Sequence, residues 1–179
     1  MADEFVAFKW KVVVIGDPTV GKTSLMLKYT EKKFNELYIP TVGVQVSIKK
    51  VPIIVEKYEQ LVDLNIWDIA GHSKFQQIRK IFYEGANAFL CLYDCTNEAS
   101  FQGVQPWIRD IRRVVGKIYG ILIGNKVDLV KERVIGESEG MELAAKLNLD
   151  FMETSAKTGE NVETLFKQLT KKLMEIFIK

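Results

Sequence analysis

A glycine-rich segment near the N-terminus holds the residue types that bind phosphate. It runs from Gly16 to Thr23 with the sequence GDPTVGKT, after an apolar run and before a segment of helical character. Glycines let the backbone wrap closely, so that successive N–H groups and a helix N-terminus converge on an anion. In a loop of this pattern, Lys22 reaches the terminal phosphates and the Thr23 hydroxyl binds Mg²⁺. The match predicts a phosphate and Mg²⁺ site rather than an incidental turn, with contacts from Gly16, Thr19, Val20, Gly21, Lys22, Thr23 and Ser24.

A second motif, Asn125-Lys126-Val127-Asp128, follows an apolar run and indicates which base is bound. Guanine presents N1–H and its 2-amino group side by side as donors, and a fixed Asp128 carboxylate accepts both. Adenine offers no such pair and would leave Asp128 unpaired in a desolvated site. Asn125 is expected to tie this loop to its neighbours, and the stem of Lys126 to lie over the base. The tetrapeptide alone also fits a surface turn, but its place well after a phosphate loop favours guanine recognition.

Two further strand ends carry groups that suit the same ligand. The segment Trp67–Gly71 ends a strand-like stretch, where Asp68 is positioned to hold Mg²⁺ through water and the Gly71 N–H to meet a γ-phosphate. A plain turn at the end of a strand is the alternative for this segment. The segment Glu153–Lys157 ends the last strand-like stretch, where backbone N–H groups are expected to contact the guanine O6 acceptor. The residues assigned to that contact are Ser155, Ala156 and Lys157.

The elements that must position these groups alternate between short apolar runs and longer segments of helical period. Nearly continuous apolar runs are typical of strands buried on both faces of a parallel sheet. These runs are Lys11–Ile15, Ala88–Tyr93 and Ile118–Ile123, with a shorter one at Phe151-Met152. The clearest helix is the last, because Val162, Leu165, Phe166, Leu169, Leu173 and Phe177 follow the spacing of one helix face.

Two neighbouring strand-like stretches, Val44–Val55 and Tyr58–Trp67, have no helix between them and predict an antiparallel hairpin at a sheet edge. Elsewhere the order is β-α, which favours an open α/β sheet with helices on both faces. Pro106 lies inside a helical pattern at Ser100–Val115, so it either kinks that helix or marks its true first turn.

The composition of the whole chain, residues 1–179, is that of one ordinary globular domain. The net charge is +2 with scattered basic residues, which argues against nucleic-acid binding. No apolar run approaches the length of a membrane span, and the start lacks the features of a secretory signal. Cys91 and Cys95 fit reduced thiols in the core of a cytosolic protein.

The four chemical segments, in this order, resemble the Ras superfamily of small GTPases over essentially the whole chain. Tyr83–Ala86, Tyr93–Thr96 and Glu153–Val162 are most similar to Rab-type members. The resemblance implies a P-loop NTPase fold, an α/β architecture with a mostly parallel six-stranded sheet, one antiparallel edge strand and helices on both faces. It implies GTP or GDP with Mg²⁺ as cofactors, and hydrolysis of GTP to GDP and phosphate as the reaction.

The resemblance also assigns roles to residues that no spacing singles out. It implies that Phe34 packs against the base, that Tyr38 belongs to the nucleotide pocket and that Thr41 is the switch I magnesium ligand. Pro40 restricts the residue before it to extended conformations, which suits a loop that reaches the γ-phosphate. The metal set is then Thr23, Thr41 and, through water, Asp68, and the catalytic set is Lys22, Thr41, Gly71 and, with its role open, His72.

The chain departs from the family where hydrolysis is concerned. His72, the only histidine, stands where most members have the glutamine that orients the attacking water. A neutral imidazole accepts a hydrogen bond from water, so both some hydrolysis and a non-catalytic exposed residue fit this position. Pro18 replaces a glycine of Ras, removes an N–H and narrows the space beside the γ-phosphate. No arginine lies between Phe34 and Val46, so switch I supplies no arginine finger.

Other departures concern partners. Val46 replaces an aromatic residue usual in Rab proteins, and the stretch from Thr41 to Asp68 is longer than theirs, which we interpret as a longer hairpin. The sequence stops at Lys179 without a variable tail or a prenylated cysteine, and a shortened chain and a naturally tailless protein both fit this. The apolar residues Trp67, Phe75 and Phe82 are expected to be exposed and fit either a partner surface or ordinary packing of the hairpin and helix.

The sequence therefore predicts a molecular switch that cycles between GTP and GDP states, in membrane trafficking or signalling, with slow intrinsic hydrolysis. The alternative is a GTP-binding scaffold with little or no hydrolysis, which His72 and Pro18 favour. A metabolic P-loop ATPase or kinase leaves Asn125–Asp128 unexplained. Expected partners are an exchange factor, a GTPase-activating protein and effectors at switches I and II, with no nucleic acid. We expect a cytoplasmic monomer whose membrane contact is peripheral and made through a tail not present here.

Overall fold

Six strands and six α-helices, mostly in alternation, follow one another along residues 6–178, the part of the chain that the computed structural model describes. The strands are β1 Val6–Ile15, β2 Val44–Val55, β3 Tyr58–Ile69, β4 Ala88–Asp94, β5 Tyr119–Asn125 and β6 Asp150–Thr154. The helices are α1 Lys22–Glu31, α2 Gln76–Tyr83, α3 Glu98–Gln102, α4 Val104–Val115, α5 Glu137–Leu147 and α6 Val162–Phe177. A short 3₁₀ turn, Ser73–Phe75, leads into α2.

The six strands form one sheet in the order β2-β3-β1-β4-β5-β6, in which only β2 runs antiparallel to its neighbour. Asp94 of β4 pairs with Asn125 of β5, and Asn125 pairs with Thr154 of β6. The carboxyl ends of these strands therefore lie side by side. Ligands of open α/β sheets bind outside such ends, so the topology gathers the predicted motifs at one edge.

Helices cover both faces of the sheet, and each face has its own apolar core. On one face, Leu25 of α1 and Phe166 of α6 pack against β1 and β3. On the other, Tyr83 of α2, Ile108 of α4 and Ala144 of α5 pack against β1, β4 and β5. The predicted fold class, a P-loop NTPase sheet with one antiparallel edge strand, is confirmed.

The predicted hairpin is confirmed and is long. β2 and β3 pair from Val44 with Ile69 to Val55 with Tyr58. The two residues between them, Glu56 and Lys57, have φ values of 49° and 77°. Positive φ at both central positions defines the type I′ turn, whose twist matches that of the flanking strands.

The structure differs from the sequence-based element bounds in two places. β1 begins at Val6 rather than at Lys11, because Lys9 and Lys11 interrupt its apolar residues and leave a continuous apolar run only in the second half. The helical pattern at Ser100–Val115 forms two helices separated at Gly103. Pro106 lies in the first turn of α4, where its missing N–H would have no partner within the helix. The kinked-helix alternative is therefore wrong.

Candidate functional site

The glycine-rich loop turns between β1 and α1 through backbone conformations that favour glycine. Gly16 has a φ of 138° and Gly21 a φ of 100°. A side chain at Gly16 would collide with the carbonyl oxygen of Leu92, and one at Gly21 with the side-chain amide of Asn125. Because α1 begins at Lys22, its unpaired N-terminal N–H groups point into the loop. The loop is therefore built to surround an anion.

Lys22 is a buried cation at the start of α1. Its side chain is 6% exposed, and Nζ donates to the backbone carbonyl of Asp17 at 2.7 Å. Burial lowers the pKa of Lys22 to about 8, and the charges of Asp68 and Asp17 oppose that shift. A buried ammonium held mainly by a neutral carbonyl lacks charge compensation. A polyphosphate in the loop would supply it.

Three oxygen-bearing side chains converge beside Lys22. The Thr23 hydroxyl lies 2.9 Å from that of Thr41 and donates to Oδ2 of Asp68, which Thr41 also reaches at 3.2 Å. Asp68 is fully buried, and burial raises its pKa although the Thr23 hydrogen bond and Lys22 act in the opposite direction. Its other oxygen, Oδ1, is buried without a hydrogen-bond partner. Hard oxygen ligands of this kind fit Mg²⁺.

Asn125 joins three loops at the other end of the site. It is 1% exposed, and its Nδ2 donates to the carbonyl of Val20 in the phosphate loop at 2.9 Å. Its Oδ1 accepts from Oγ1 of Thr154 at 3.0 Å and from the N–H of Ala156 at 3.2 Å. A single amide therefore fixes the phosphate end relative to the base end, as the sequence predicted for Asn125.

The Asp128 carboxylate is oriented by a hydroxyl. Oγ of Ser155 donates to Asp128 Oδ1 at 2.6 Å and itself accepts from the N–H of Thr158 at 3.0 Å. Ser155 is fully buried, and it lies behind Asp128 rather than in the wall of the cavity described below. Its side chain therefore orients Asp128 and does not itself face the cavity, an arrangement that the motif alone does not reveal.

Lys126 is held by an acidic residue that sequence reasoning missed. Its Nζ lies 2.7 Å from Oδ2 of Asp94 at the end of β4. The other oxygen of Asp94 accepts from the N–H and the hydroxyl of Thr96 at 2.8 and 2.7 Å. Asp94 lies in a segment noted only for its family resemblance, and an acid at the end of a buried strand is the signal that could have found it.

One cavity of about 570 Å³ connects these groups, a size typical of ligand pockets. Gly16, Val20, Asp68 and Ser155 support its walls from behind, whereas the other predicted site residues line it. Those lining residues are Thr19, Gly21, Lys22, Thr23, Ser24, Phe34, Tyr38, Thr41, Gly71, His72, Asn125, Lys126, Asp128, Ala156 and Lys157. The structure thus brings the whole predicted set together around one space.

The turn after β3 approaches the phosphate loop closely. A Cβ at Gly71 would lie 2.6 Å from the nitrogen of Pro18 and 2.7 Å from the carbonyl oxygen of Gly16, so only glycine fits there. His72 is exposed at the mouth of the cavity. Arg79 of α2, which sequence reasoning also missed, holds this turn through its guanidinium.

The three aromatic residues near the switches are half-buried. The Trp67 and Phe82 rings lie 6.5 Å apart, and Nζ of Lys11 lies 3.7 Å from the centre of the Trp67 ring. Phe75 lines the mouth of the cavity. These rings therefore pack against the protein on one side and keep the other side accessible.

Comparison with known proteins identifies the class that this fold and site define. A family model for the Ras family matches residues 11–175. The chain is 37% identical over 170 residues to the Ras-related protein Rab-1 of Theileria parva, covering 94% of this chain and 76% of that protein. It is 38% identical to Rab-21 of Mus musculus, covering 94% and 75% of the two chains. Rab-3 of Caenorhabditis elegans is 37% identical, covering 93% and 75%.

The chain belongs to the Ras family. Within it, the chain is a Rab-like small GTPase, a GTP-binding switch, and its similarity to Rab proteins supports a role in membrane trafficking. Members of the family bind guanine nucleotide and Mg²⁺, and the residues gathered here fit both. Within residues 6–178, no helix is long and apolar enough to cross a membrane.

Proposed function

We propose that this chain switches by ordering Thr41 and Gly71 around the γ-phosphate of GTP, and that its intrinsic hydrolysis is slow. The carrying observation is the 2.9 Å distance between the hydroxyls of Thr23 and Thr41. Thr41 comes from the segment between α1 and β2, where Leu37 and Ile39 are 83% and 75% exposed. Because this segment buries little apolar surface, its order depends mainly on the contacts that Thr41 makes in the site.

The roles of the residues in the site follow from their contacts. Lys22 and the N–H groups of the glycine loop bind the phosphates, while Thr23, Thr41 and Asp68 hold Mg²⁺ directly or through water. Mg²⁺ held by these residues would supply positive charge that offsets the negative charge developing during phosphoryl transfer. Gly71 directs its N–H to the γ-phosphate. The catalytic contribution of the chain is therefore mostly positioning and electrostatic stabilisation.

The base end selects guanine through Asp128, which Ser155 orients by a hydrogen bond of 2.6 Å. Of the three residues expected to offer an N–H to the guanine O6, only Lys157 would do so, because the N–H of Ser155 donates to the carbonyl of Glu160 and that of Ala156 to Oδ1 of Asn125. Lys126 and Phe34 flank the base on either side, and Asn125 keeps this end in register with the phosphate loop.

Slow hydrolysis follows from His72 and Pro18. His72 is exposed, and an imidazole is shorter than a glutamine side chain and cannot donate and accept toward water with the same reach. Pro18 lies against Gly71, so its ring occupies the side of the γ-phosphate from which an external arginine would enter. A partner that supplies such an arginine typically accelerates hydrolysis by about 10³- to 10⁵-fold.

The second candidate is a GTP-binding scaffold with little or no hydrolysis, which the same two residues favour. Single-turnover phosphate release from the GTP-loaded protein separates the two. We expect slow but measurable release that depends on Mg²⁺. Release indistinguishable from that of free GTP would favour the scaffold.

We further propose one domain over residues 1–179 that acts as a cytoplasmic monomer. An exchange factor, a GTPase-activating protein and effectors would bind at the two switches, where Leu37, Tyr38, Ile39 and Val42 are exposed. Membrane contact would be peripheral and made through a tail outside this sequence. Sedimentation of the GDP- and GTP-analogue-loaded forms tests the monomer, and a dimer in either state would contradict it.

A further inference from the structure

The guanidinium of Arg79 binds three consecutive backbone carbonyls of switch II. Nε donates to the carbonyl of Ala70 at 3.2 Å, and Nη2 donates to those of Gly71 and His72 at 2.8 and 2.7 Å. Arg79 is 6% exposed, although it lies on a short surface helix. Hydrogen bonds from a charged donor are stronger than neutral ones, so this contact fixes the backbone of the turn.

The planarity of the peptide bond gives this contact a direction. In a trans peptide the C=O and N–H groups point in opposite directions. Because the Ala70 carbonyl points to Arg79, the N–H of Gly71 in the same peptide points away from Arg79. The Gly71 backbone itself lies against the phosphate loop, since a Cβ there would lie 2.7 Å from the Gly16 carbonyl oxygen. Arg79 therefore sets the direction of the N–H assigned to the γ-phosphate.

Arg79 is in turn connected to the phosphate loop through α4. The guanidinium carbon lies 4.0 Å from the centre of the Trp107 ring, and Nε1 of Trp107 donates to Oδ1 of Asp17 at 2.7 Å. Asp17 is the residue whose carbonyl binds Lys22. The chain of contacts thus runs from Lys22 to Gly71 without passing through the nucleotide.

The break between α3 and α4 makes room for this connection. A Cβ at Gly103 would lie 2.7 Å from Oδ2 and 3.0 Å from Oδ1 of Asp17. Because glycine stands at the junction, the Asp17 carboxylate reaches the Trp107 indole. The helix break is therefore part of the same arrangement.

We propose that Arg79 is a positioning residue that aims the Gly71 N–H at the γ-phosphate, and that Trp107 and Asp17 hold Arg79 in that position. The inference rests on the switch proposed above and names the residues that couple switch II to the phosphate loop. If the inference is right, the preference for GTP over GDP depends on Arg79, whose side chain contacts neither nucleotide.

The test compares Arg79→Lys, Trp107→Phe and the control Lys80→Gln, an exposed position on the same helix. Arg79→Lys keeps the charge but loses the planar fork, and Trp107→Phe keeps a ring but loses the donor to Asp17. Affinities for GDP and for a non-hydrolysable GTP analogue, and hydrogen exchange of Ala70–Gln77, are measured for each.

Loss of a charge-assisted bond to the turn should weaken the GTP analogue about tenfold relative to GDP in Arg79→Lys, and by less in Trp107→Phe. Hydrogen exchange of Ala70–Gln77 should be faster than in wild type for both variants when they bind the analogue. The exchange rate of Lys80→Gln should equal that of wild type. A purely structural role would lower both affinities alike, and that result, or an unchanged affinity ratio in Trp107→Phe, overturns the proposal. Wild-type protein that does not distinguish the analogue from GDP in switch exchange would instead contradict the proposed switch.

Discussion

The ammonium of Lys126 and the carboxylate of Asp94 form an ion pair of 2.7 Å at the base end of the cavity. Asp94 is 5% exposed, so the pair is screened less by solvent than a surface pair. The pair holds Lys126, the residue proposed to flank the base, although Asp94 itself does not line the cavity.

Replacing this carboxylate should therefore weaken nucleotide binding without abolishing it. Asp94→Asn keeps the shape and the hydrogen bonds from Thr96 but removes the charge that orients Lys126. We expect the Kd for GDP to rise about fivefold, corresponding to about 1 kcal/mol. Fluorescence titration with a labelled GDP measures this, with the exposed Glu142→Gln as a control of equal charge change. Equal affinities in Asp94→Asn and wild type would mean that Lys126 needs no such support.

Nucleotide choice should depend on Asp128. The carboxylate facing two guanine donors should favour GTP and GDP over ATP by about 10⁴-fold, as is typical of buried polar recognition. Asp128→Asn should weaken guanine and favour xanthine, whose C2 oxygen is an acceptor. Ser155→Ala should reduce guanine affinity without changing the choice of base, because it only orients Asp128. Calorimetric titration measures all three, and comparable affinity of wild type for ATP contradicts the assignment.

The hydroxyl of Thr41 should determine the order of switch I. With a GTP analogue and Mg²⁺, we expect slower hydrogen exchange at Phe34–Thr41 than with GDP. Thr41→Ala should remove most of that difference, because the oxygen that reaches Thr23 and Asp68 is lost. Thr41→Ser keeps the oxygen and serves as the matched control. If Thr41→Ala retains full protection, switch I is ordered by packing and not by the metal site.

Substitution of His72 should reveal whether its imidazole orients water. We expect His72→Gln to raise single-turnover phosphate release and His72→Ala to lower it, because a glutamine amide carries its donor and its acceptor together at the end of a longer side chain. Unchanged rates in both variants would assign no catalytic role to His72. A lower rate with glutamine would mean that the site uses the histidine for hydrolysis. That result would contradict the proposal that His72 makes intrinsic hydrolysis slow.

The strand ends and their motifs could be predicted because each carries its chemistry within a few consecutive residues. Asp68, Asn125 and Asp128 lie at or after the ends of strand-like stretches whose carboxyl ends must meet in a mostly parallel sheet. Arg79 left no such signal, and Asp94 left only the general one of an acid at the end of a buried strand. Their partners are backbone carbonyls or a lysine distant in sequence, and they meet only when α2 packs against α4 and when β4 pairs with β5. Contacts that form only through such packing produce no characteristic spacing of residues in the sequence.

The edge strand β2 bears on how copies of this protein behave in concentrated solution. A long edge with the exposed apolar residues Val46, Ile48 and Ile54 is a template on which a strand of another copy could add. Pro52 interrupts that template, because a proline in an edge strand has no N–H to offer an incoming chain. The neighbouring Lys49 adds a positive charge near this edge, whereas the charge of Lys50 is paired with Asp63 of β3 at 3.7 Å. The hairpin thus resists edge-to-edge aggregation while its apolar face stays accessible.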